Sequence, residues 1–338
     1  MTPFFSLIIP CYNVENYVER CVRSILEQPF KDYEVILVDD GAKDHTPQIL
    51  DALAADHPCI QVIHQQNGGL SSARNAGLAA SRGQYVWFID SDDWVEPDSL
   101  EKLYHACAKK TPDIVKFSYF RAVETKKRVS GVIPEGWYET AQMEGVRRSA
   151  YCAAGKYSLS AWSHVYRLSF LRENALSFVS ERLVCSEDYL FNLQALEHAA
   201  CMRVIPDALY VYELREGSLT QTYKPDLVER YAELYRLLMA SGANSRRLAA
   251  RFYVWHLMAG TCIPHIYRHI TADHPLQQCR RDVKALLKRN GLKHAVLYSD
   301  RKGLPWKKSL LLAAMYLGIE PVFYYLHVVK PVHKGHAG

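Results

Sequence analysis

The stretch QYVWFIDSDDW, residues 84–94, joins an apolar run to a cluster of acids. Residues 85–89 have the length and composition of a buried strand. Three carboxylates follow within four residues, on Asp90, Asp92 and Asp93. At about 4 Å and an effective dielectric constant near 20, each close pair of like charges costs about 4 kcal/mol. These acids therefore either point apart into water or surround a positive group.

The sequence on either side repeats the pattern of an apolar strand followed by a helix. Strand-like runs occur at residues 5–11, 33–39, 60–64 and 113–120, and stretches of helical periodicity separate them. Continuous apolar strands alternating with helices are typical of a parallel sheet covered on both faces. The sequence thus predicts an α/β fold with a mostly parallel central sheet and a helical region from residue 225 onward.

Residues 121–223 have a mixed pattern. A helix is predicted at residues 187–199, and strands are predicted at 202–205 and 209–213.

Charge divides the chain near residues 223–225. Residues 1–223 carry 22 Lys and Arg against 29 Asp and Glu, a net charge of −7, whereas residues 224–338 carry 19 against 7, a net charge of +12. A basic half of this kind indicates an anionic partner: a membrane surface, a nucleic acid or a phosphorylated ligand. Nucleic acid is not expected, because the basic residues show no aromatic interleaving and no known binding motif.

An apolar segment at residues 310–329 leaves three alternatives open. It is interrupted by Glu320, Pro321 and His327 and flanked by lysines. The segment is read as an interfacial helix pair on an anionic leaflet, as a part that packs on the protein's own core, or as a membrane-spanning helix. The central Glu-Pro pair argues against the span.

Cysteine usage and the first residues indicate a cytoplasmic protein. Nine scattered cysteines without a C-x-x-C pair indicate neither a disulfide framework nor a zinc site. The start, MTPFFSLIIPCYN, lacks a basic n-region, so no cleavable signal peptide is expected.

Polar residues follow each of the first four predicted strands. The carboxyl ends of parallel strands share one edge of a sheet, so these residues are expected to converge on one crevice. An Asp-x-Asp pair there supplies hard oxygen ligands for Mg²⁺ or Mn²⁺, which proteins commonly hold together with substrate phosphates. Arg74 on the following helix is available for a phosphate oxygen. The pattern predicts a nucleotide-diphosphate site, although neither G-x-G-x-x-G nor a P-loop motif occurs.

Four segments resemble the successive motifs of glycosyltransferase family 2. They are SLIIPCYN (6–13), VDDGAKDHT (38–46), NGGLSSARNAGL (67–78) and IDSDDW (89–94). Their order and spacing agree over residues 5–120, with a weaker match over 162–220. The resemblance implies the GT-A fold, also called the nucleotide-diphospho-sugar transferase fold. It also implies a nucleotide-sugar donor and inversion of the anomeric centre.

The resemblance also implies three regions. Residues 1–120 would be the nucleotide-sugar-binding half of the GT-A domain, and residues 121–223 the acceptor and catalytic half. Residues 224–338 would be a basic helical region, with a membrane surface as its candidate partner.

Residues of the four motifs are implied to bind the donor. Asp39 would accept a hydrogen bond from the ring N–H of a uracil-like base, and Arg74 would lie near the diphosphate. Asp90 and Asp92 would hold Mn²⁺ or Mg²⁺, whereas Asp93 is expected to fix the turn. The implied nucleotide-sugar contacts are Pro10, Tyr12, Asn13, Asp39, Gly69, Arg74, Asp90 and Ser91.

The segment CSEDYLF, residues 185–191, resembles the family's E-D catalytic element. Asp188 would then be the general base, next to Glu187, because a carboxylate must take the proton of the attacking acceptor hydroxyl. The alternative is that both acids are first-turn charges on a helix capped by Ser186.

Other positions have two interpretations each or depart from the family. Trp162 is an acceptor platform or a core aromatic residue, and Arg215 is a second phosphate contact or a solvated loop charge. Ala42 replaces the serine usual after the family's D-D-G, and His164 stands where many relatives have lysine. His265 and His269 have the spacing of metal ligands on a helix but are expected to be ordinary helix histidines.

The sequence-based hypothesis is an inverting, metal-dependent glycosyltransferase. It would move a hexosyl or N-acetylhexosaminyl group from a UDP-sugar to a saccharide or lipid-linked saccharide. The site of action would be the inner face of the plasma membrane, in capsule, exopolysaccharide or lipopolysaccharide assembly. The alternatives are a nucleotidyltransferase and a catalytically degenerate relative that only binds nucleotide-sugar or glycan.

Overall fold

The structure is a computed structural model that describes residues 2–122, 125–152, 157–214, 226–244 and 257. The chain forms two compact units, residues 1–147 with 157–221 and residues 148–156 with 222–338. No helix in the described part of the chain is long and apolar enough to cross a membrane. The limits of the three predicted regions stay a prediction. Arg215, His265, His269 and the segment 310–329 lie outside the described residues.

The described part of the first unit contains a ten-stranded sheet. The strands are β1 (Phe5–Cys11), β2 (Tyr33–Asp39), β3 (Ile60–His64), β4 (Tyr85–Phe88), β5 (Trp94–Val95), β6 (Ile114–Ala122), β7 (Lys126–Val129), β8 (Gly136–Glu139), β9 (His164–Arg167) and β10 (Cys201–Glu213). The helices are α1 (Val18–Leu26), α2 (Thr46–Asp56), α3 (Leu70–Ala80), α4 (Ser99–Ala108), α5 (Met143–Cys152), α6 (Leu168–Glu173), α7 (Glu187–His198) and α8 (Leu227–Asn244).

The order of the main strands is β3-β2-β1-β4-β9-β6-β10-β5, with β7 added to β6 and β8 added to β10. The pairs β2–β3, β1–β2 and β1–β4 are parallel, as predicted. Beyond β4 the sheet is mixed, because β5, β7, β8 and β9 join it antiparallel while β6 and β10 run parallel. The order reverses between β1 and β4, and the carboxyl ends of strands at such a switch point form the ligand crevice of open α/β sheets.

Most predicted elements are present with small shifts at their ends. The helix predicted at 187–199 is α7, whereas the two strands predicted at 202–205 and 209–213 form the single strand β10. The pairing of β10 with β6 is irregular between Val204 and Tyr210, around Pro206. Proline has no N–H to donate to a neighbouring strand, which explains both the irregularity and the gap in the predicted pattern.

Helix α3 lies unusually close to the sheet at Gly77. A Cβ atom on this glycine would lie 2.3 Å from Cγ2 of Ile8 on β1, so no larger residue fits there. Arg74 lies three residues earlier on the same helix face and is 1% exposed. The close packing of α3 on β1 therefore places a buried guanidinium beside the carboxyl ends of the central strands.

Candidate active site

The turn after β4 is fixed by its third acid, Asp93. The fully buried Asp93 carboxylate accepts hydrogen bonds from the Tyr210 hydroxyl at 2.6 Å and from the Glu213 N–H at 2.8 Å. The Tyr210 oxygen also accepts the Asp90 N–H at 3.1 Å, and Asp93 N–H donates to the Asp90 carbonyl at 3.1 Å. These contacts show Asp93 fixing the turn, as expected from the sequence.

The surroundings of Asp93 disfavour its ionisation. Burial, together with the charges of Asp90 and Asp92, raises the pKa of Asp93 to about 9. The hydrogen bonds from the Tyr210 hydroxyl and the Glu213 N–H act in the opposite direction.

Arg20 on α1 holds the same turn from the other side. Its Nη2 donates to the Asp92 carbonyl at 2.7 Å and pairs with the Glu213 carboxylate at 2.7 Å, while the guanidinium lies 4.2 Å from the centre of the Trp94 ring. Sequence reasoning missed Arg20 and Tyr210. Neither lies in a motif, and both reach the turn only through the fold.

Three of the predicted site acids meet at Arg74. Its Nη1 lies 2.6 Å from Oδ1 of Asp188 and 3.1 Å from Oε1 of Glu187, and its Nη2 lies 3.0 Å from Oδ1 of Asp90. The guanidinium also stands over the Phe178 ring at 5.2 Å. The side chain of Arg74 is 2% exposed, so a single buried cation joins the turn after β4 to the start of α7.

Burial and mutual repulsion shift the protonation of this cluster. Burial opposes the charge of Arg74, but Asp188, Asp90 and Glu187 together raise its pKa above the ordinary value. Burial and then Asp188 raise the pKa of Glu187 to about 7 against the effect of Arg74. Burial also raises the pKa of Asp188, again opposed by Arg74. Carboxyl groups with raised pKa values in a cleft are candidates for acid–base chemistry.

Asp188 is held at both carboxylate oxygens. Oδ1 contacts Arg74, and Oδ2 accepts the Ala161 N–H at 3.1 Å. The side chain is 21% exposed, so it is oriented by the protein yet still open to a ligand. The predicted cap by Ser186 is wrong: its side chain makes no capping bond, and it enters α7 in the left-handed conformation with φ 66°. The two acids begin the helix without a hydroxyl cap.

Asp39 ends β2 and pairs in register with Cys11 of β1, which directly precedes the exposed Tyr12. Oδ1 of Asp39 accepts the Ala42 N–H at 2.9 Å, and Oδ2 lies 2.9 Å from Nδ1 of His64. Ala42, which replaces the serine usual in the family, therefore still makes this contact through its backbone N–H. Asn13, left-handed with φ 52°, accepts the Lys43 N–H at 2.9 Å through Oδ1.

Asp40 organises the loop after β3. Its buried carboxylate accepts the Gly68 and Gly69 N–H groups at 2.8 Å each. It also accepts the side-chain amides of Gln65 at 2.7 Å and Asn67 at 3.1 Å. Four donors on one carboxylate fix the backbone of the N-G-G segment.

Gly69 lies beneath the Glu181 carboxylate. Its φ is +91°, and a Cβ atom there would lie 1.9 Å from Oε1 of Glu181, whose other oxygen accepts the Ser71 N–H at 3.0 Å. The requirement for glycine thus has a structural cause within the protein. Binding of the donor at Gly69 stays a prediction, as it does for the buried residues Pro10 and Ser91.

The two acceptor-side positions that the structure describes lie in the interior. Trp162 is 5% exposed and stacks on Tyr210 at a centroid distance of 4.5 Å and an angle of 4°. Of its two interpretations, the structure favours the core aromatic residue. His164 is fully buried, with Nε2 3.3 Å from Nζ of Lys116 and from the Tyr157 hydroxyl.

The donor set suits a divalent cation that is shared with a ligand. No group of three or more His, Cys, Asp or Glu side chains in the described ranges could hold a metal by itself. Asp90, Glu187 and Asp188 outnumber the one cation, Arg74, that they share, and Asp92 follows on the same turn. Oxygen ligands with excess negative charge fit Mg²⁺ or Mn²⁺ held by one or two carboxylates and substrate phosphates.

A family model agrees with the resemblance seen in the sequence. The model of Glycosyl transferase family 2 matches residues 6–158. The uncharacterized glycosyltransferase EpsJ of Bacillus subtilis is 32% identical over 78% of this chain and 73% of its own length. The putative glycosyltransferase EpsH of the same organism is 34% identical over 69% of this chain and 67% of its own length. A chondroitin synthase of Escherichia coli is 44% identical over 29% of this chain and 14% of its own length.

Solved structures agree on the fold. S. aureus TarS 1-349 in complex with UDP-GlcNAc has a TM-score of 0.69 at 23% identity and covers 98% of this chain and 92% of its own. The mannosyltransferase PcManGT from Pyrobaculum calidifontis, in complex with GDP-Man and Mn²⁺, has a TM-score of 0.54 at 16% identity. It covers 94% of this chain and 86% of its own. At these identities the likeness shows the fold alone, which is the GT-A fold that the family resemblance implied.

Proposed function

The chain belongs to glycosyltransferase family 2, and we propose that it moves a sugar from a UDP-sugar to a hydroxyl of a saccharide or lipid-linked saccharide with inversion at the anomeric carbon. Its relatives bear the glycosyltransferase name. The donor nucleotide, the stereochemistry and the acceptor are the parts that we propose.

The proposed mechanism rests on one observation: the Arg74 guanidinium contacts the carboxylates of both Asp90 and Asp188. Asp90 follows β4 at the carboxyl edge of the sheet, and Asp188 begins α7, yet both carboxylates contact one guanidinium, at 3.0 Å and 2.6 Å. A donor phosphate near Asp90 and an acceptor hydroxyl near Asp188 would then be neighbours. This is the arrangement that an in-line transfer between two substrates requires.

Asp188 is the proposed general base. The acceptor oxygen forms a bond to the anomeric carbon while its proton passes to the Asp188 carboxylate. The bond between the anomeric carbon and the diphosphate oxygen breaks, and its electron pair leaves with the nucleoside diphosphate. Attack opposite the leaving group inverts the anomeric centre. The pKa of Asp188, raised by burial, makes it a stronger base than an exposed aspartate.

Asp90 and Asp92 are the proposed ligands of a divalent cation. When bound, Mn²⁺ or Mg²⁺ would supply electrostatic stabilisation of the charge on the departing diphosphate. Tyr210 and Asp93 fix the backbone on which both ligands stand, and Arg20 holds the Asp92 carbonyl. Arg74, predicted from the sequence to lie near the diphosphate, is here assigned to orienting Asp188.

Asp39 is the proposed contact for the nucleotide base, with Tyr12 beside it. A carboxylate at this position accepts from a ring N–H, which uracil provides. The support for UDP is this chemistry together with the UDP-GlcNAc in the TarS neighbour. Whether the transferred group is a hexose or an N-acetylhexosamine is left to the donor screen below.

We place the reaction in the synthesis of a cell-surface polysaccharide, at the inner face of the plasma membrane. Relatives named as chondroitin and hyaluronan synthases support a polysaccharide product. The net charge of +12 over residues 224–338 supports contact with anionic lipid.

A donor screen tests the function. The purified protein is incubated with UDP- and GDP-sugars, Mn²⁺ and a panel of saccharide acceptors, and release of UDP or GDP is measured. We expect UDP release that depends on both metal and acceptor and that is lost in Asp188→Asn. Binding of donor without any turnover would favour a degenerate relative. Release of pyrophosphate from an NTP would favour a nucleotidyltransferase.

A further inference from the structure

His64 stands between two carboxylates beside the proposed base pocket. The parallel register of β2 and β3 pairs Asp39 with His64, which brings the two side chains together. Nδ1 of His64 lies 2.9 Å from Oδ2 of Asp39, and Nε2 lies 3.0 Å from Oδ1 of Asp51 on α2. Neither His64 nor Asp51 belongs to the residues assigned a role above.

The two contacts define the chemical state of the imidazole. An ionised carboxylate only accepts hydrogen bonds, so each ring nitrogen must carry a hydrogen to satisfy both neighbours. Hydrogen bonds to Asp39 and then to Asp51 raise the pKa of His64, in agreement with the doubly protonated ring. The imidazolium thus brings a positive charge to the buried Asp39, which is 5% exposed.

The Asp39 carboxylate is held on both of its oxygens. The Ala42 N–H holds Oδ1 and His64 holds Oδ2, so the plane of the carboxylate is fixed before any ligand arrives. Hydrogen bonds to a charged group are the stronger ones, and a pre-oriented acceptor binds with less loss of freedom. Each carboxylate oxygen has two lone pairs, so a further donor still finds an acceptor.

We propose that His64 is a positioning residue for nucleotide recognition: through Nδ1 it holds the Asp39 carboxylate in the orientation that accepts the ring N–H of the base. The inference rests on the proposed function and deepens it. It makes His64 a determinant of selection for a base with a ring N–H, such as uracil, over cytosine, which has no N3–H. Asp51, whose side chain is 64% exposed, orients the far side of the ring.

Two substitutions distinguish the contributions of the two ring nitrogens. In His64→Asn the side-chain amide can occupy the position of Nδ1 and donate to Asp39. In His64→Gln the longer side chain carries its amide towards the position of Nε2, which faces Asp51. His64→Ala removes both donors. Because the His64 side chain is 46% exposed, all three are expected to fold, and thermal unfolding of each variant checks this.

The experiment measures binding of UDP and CDP by isothermal titration calorimetry in the presence of Mn²⁺, on the full chain. We expect His64→Ala to weaken UDP binding by about tenfold or more, since one hydrogen bond to a charged group is lost. His64→Asn should recover most of the UDP affinity and His64→Gln should not. CDP binding should change little in any variant. With an active donor and acceptor, KM for the donor should rise in His64→Ala while kcat is kept.

The results of these measurements test the role of His64 separately from the proposed function. Equal UDP affinity in the wild type and in His64→Ala would overturn the inference, as would equal rescue by Gln and Asn. A pure loss of thermal stability at unchanged affinity would make His64 a structural link between β3 and α2. If the wild type binds neither UDP nor GDP, the proposed function itself fails.

Discussion

The Arg74 guanidinium lies 2.6 Å from the carboxylate of Asp188, 114 positions later in the chain. The contact joins α3, whose position is fixed by close packing on β1, to the first turn of α7. The proposed base is therefore oriented by a helix that packs on the strand beside the proposed donor site. The residues proposed to act on donor and acceptor contact one buried cation.

Replacing Arg74 tests this link. Arg74→Lys keeps the positive charge, but an ammonium cannot span Asp188, Glu187 and Asp90 with the fixed geometry of a guanidinium. We expect kcat to fall by roughly 10- to 100-fold from misplacement of the base, with a smaller change in KM for the donor. Steady-state kinetics with the donor found in the screen measures both.

The control for Arg74→Lys is Arg82→Lys. Arg82 forms a bidentate contact with Glu34, at 3.0 and 2.7 Å, but takes no part in the site. It should lower stability without a specific fall in kcat. If both variants retain wild-type kcat, Arg74 does not orient the base.

The acids at the start of α7 should have different effects on the pH profile. Asp188→Asn removes the proposed base and should lower kcat by about 10²- to 10⁴-fold, while donor binding is kept. Glu187→Gln should retain activity and change its pH dependence instead. The base works only when deprotonated, so kcat in the wild type should rise with pH as the coupled pair loses protons, and the pKa of Glu187 is raised to about 7.

A side-chain hydrogen bond from Glu187 lowers the pKa of Asp188. In Glu187→Gln the side-chain amide can donate this bond and does not titrate. The part of the kcat profile that comes from Glu187, near pH 7, should therefore be absent in Glu187→Gln, while the rise that comes from Asp188 is kept. Profiles of kcat from about pH 5 to 9 measure the difference. Loss of the whole rise in Glu187→Gln would contradict the assignment of Asp188 as the base.

Asp92 and Asp93 are adjacent, yet substitution of Asp92 should change the metal requirement and substitution of Asp93 should change the stability. Asp92→Asn should raise the Mn²⁺ concentration needed for half-maximal activity by about tenfold, the effect of ~1.4 kcal/mol, and leave the melting temperature unchanged. Asp93→Ala leaves the Tyr210 hydroxyl and the Glu213 N–H without their partner. Each unsatisfied buried group costs about 1–3 kcal/mol, so this variant should melt at lower temperature.

Activity and Mn²⁺ titrations, with thermal melts of both proteins, separate the two effects. A fall in melting temperature for Asp92→Asn with no change in metal dependence would remove Asp92 from the proposed metal ligands.

The sequence predicted the half of the fold in which apolar periodicity is strong. The strands β1–β4 and the helices between them follow from continuous apolar runs, and so does the meeting of their polar ends at one edge. By contrast, β5 has only two residues, and the four residues of β9 include a histidine and an arginine, so neither is a continuous apolar run. They form because strands already in place provide an edge to pair with.

The site was predictable where a residue lies in a motif and not where it arrives through packing. Asp90 and Asp188 were selected as candidates because they lie in segments that resemble family motifs, although their contact with the same arginine was not predicted. His64 follows an apolar strand and reads as an ordinary strand-end residue, because only the β2–β3 register reveals its contact with Asp39. The expected phosphate role of Arg74 came from its charge, its place on the predicted helix and the family resemblance. None of these shows that three carboxylates surround it.

Lys116 provides a test of stability that is independent of the proposed site. The side chain is fully enclosed, and Nζ donates to the Ser158 carbonyl at 3.0 Å and lies 4.4 Å from the centre of the Tyr157 ring. Burial lowers the pKa of Lys116 from 10.5 to about 7. The folded protein therefore binds this proton less tightly than the unfolded chain does.

This difference fixes the sign of the pH dependence. Between about pH 7 and 10 the unfolded chain holds the proton and the folded state has lost it, so the free energy of unfolding should increase with pH across this window. The slope from a single group is at most about 1.4 kcal/mol per pH unit. Below pH 7 both states are protonated, and the destabilisation from the buried charge is present in full.

Lys116→Met keeps the length of the side chain and removes the titrating group. Urea unfolding at pH 7 and pH 9 should show a smaller gain with pH in Lys116→Met than in the wild type, and a higher stability than the wild type at pH 7. Lys110→Met, at an exposed lysine paired with Glu139 at 3.0 Å, is the matched control and should keep the wild-type slope. An unchanged slope in Lys116→Met would mean that the buried lysine keeps its proton, with Ser158, His164 and Tyr157 together stabilising the ammonium.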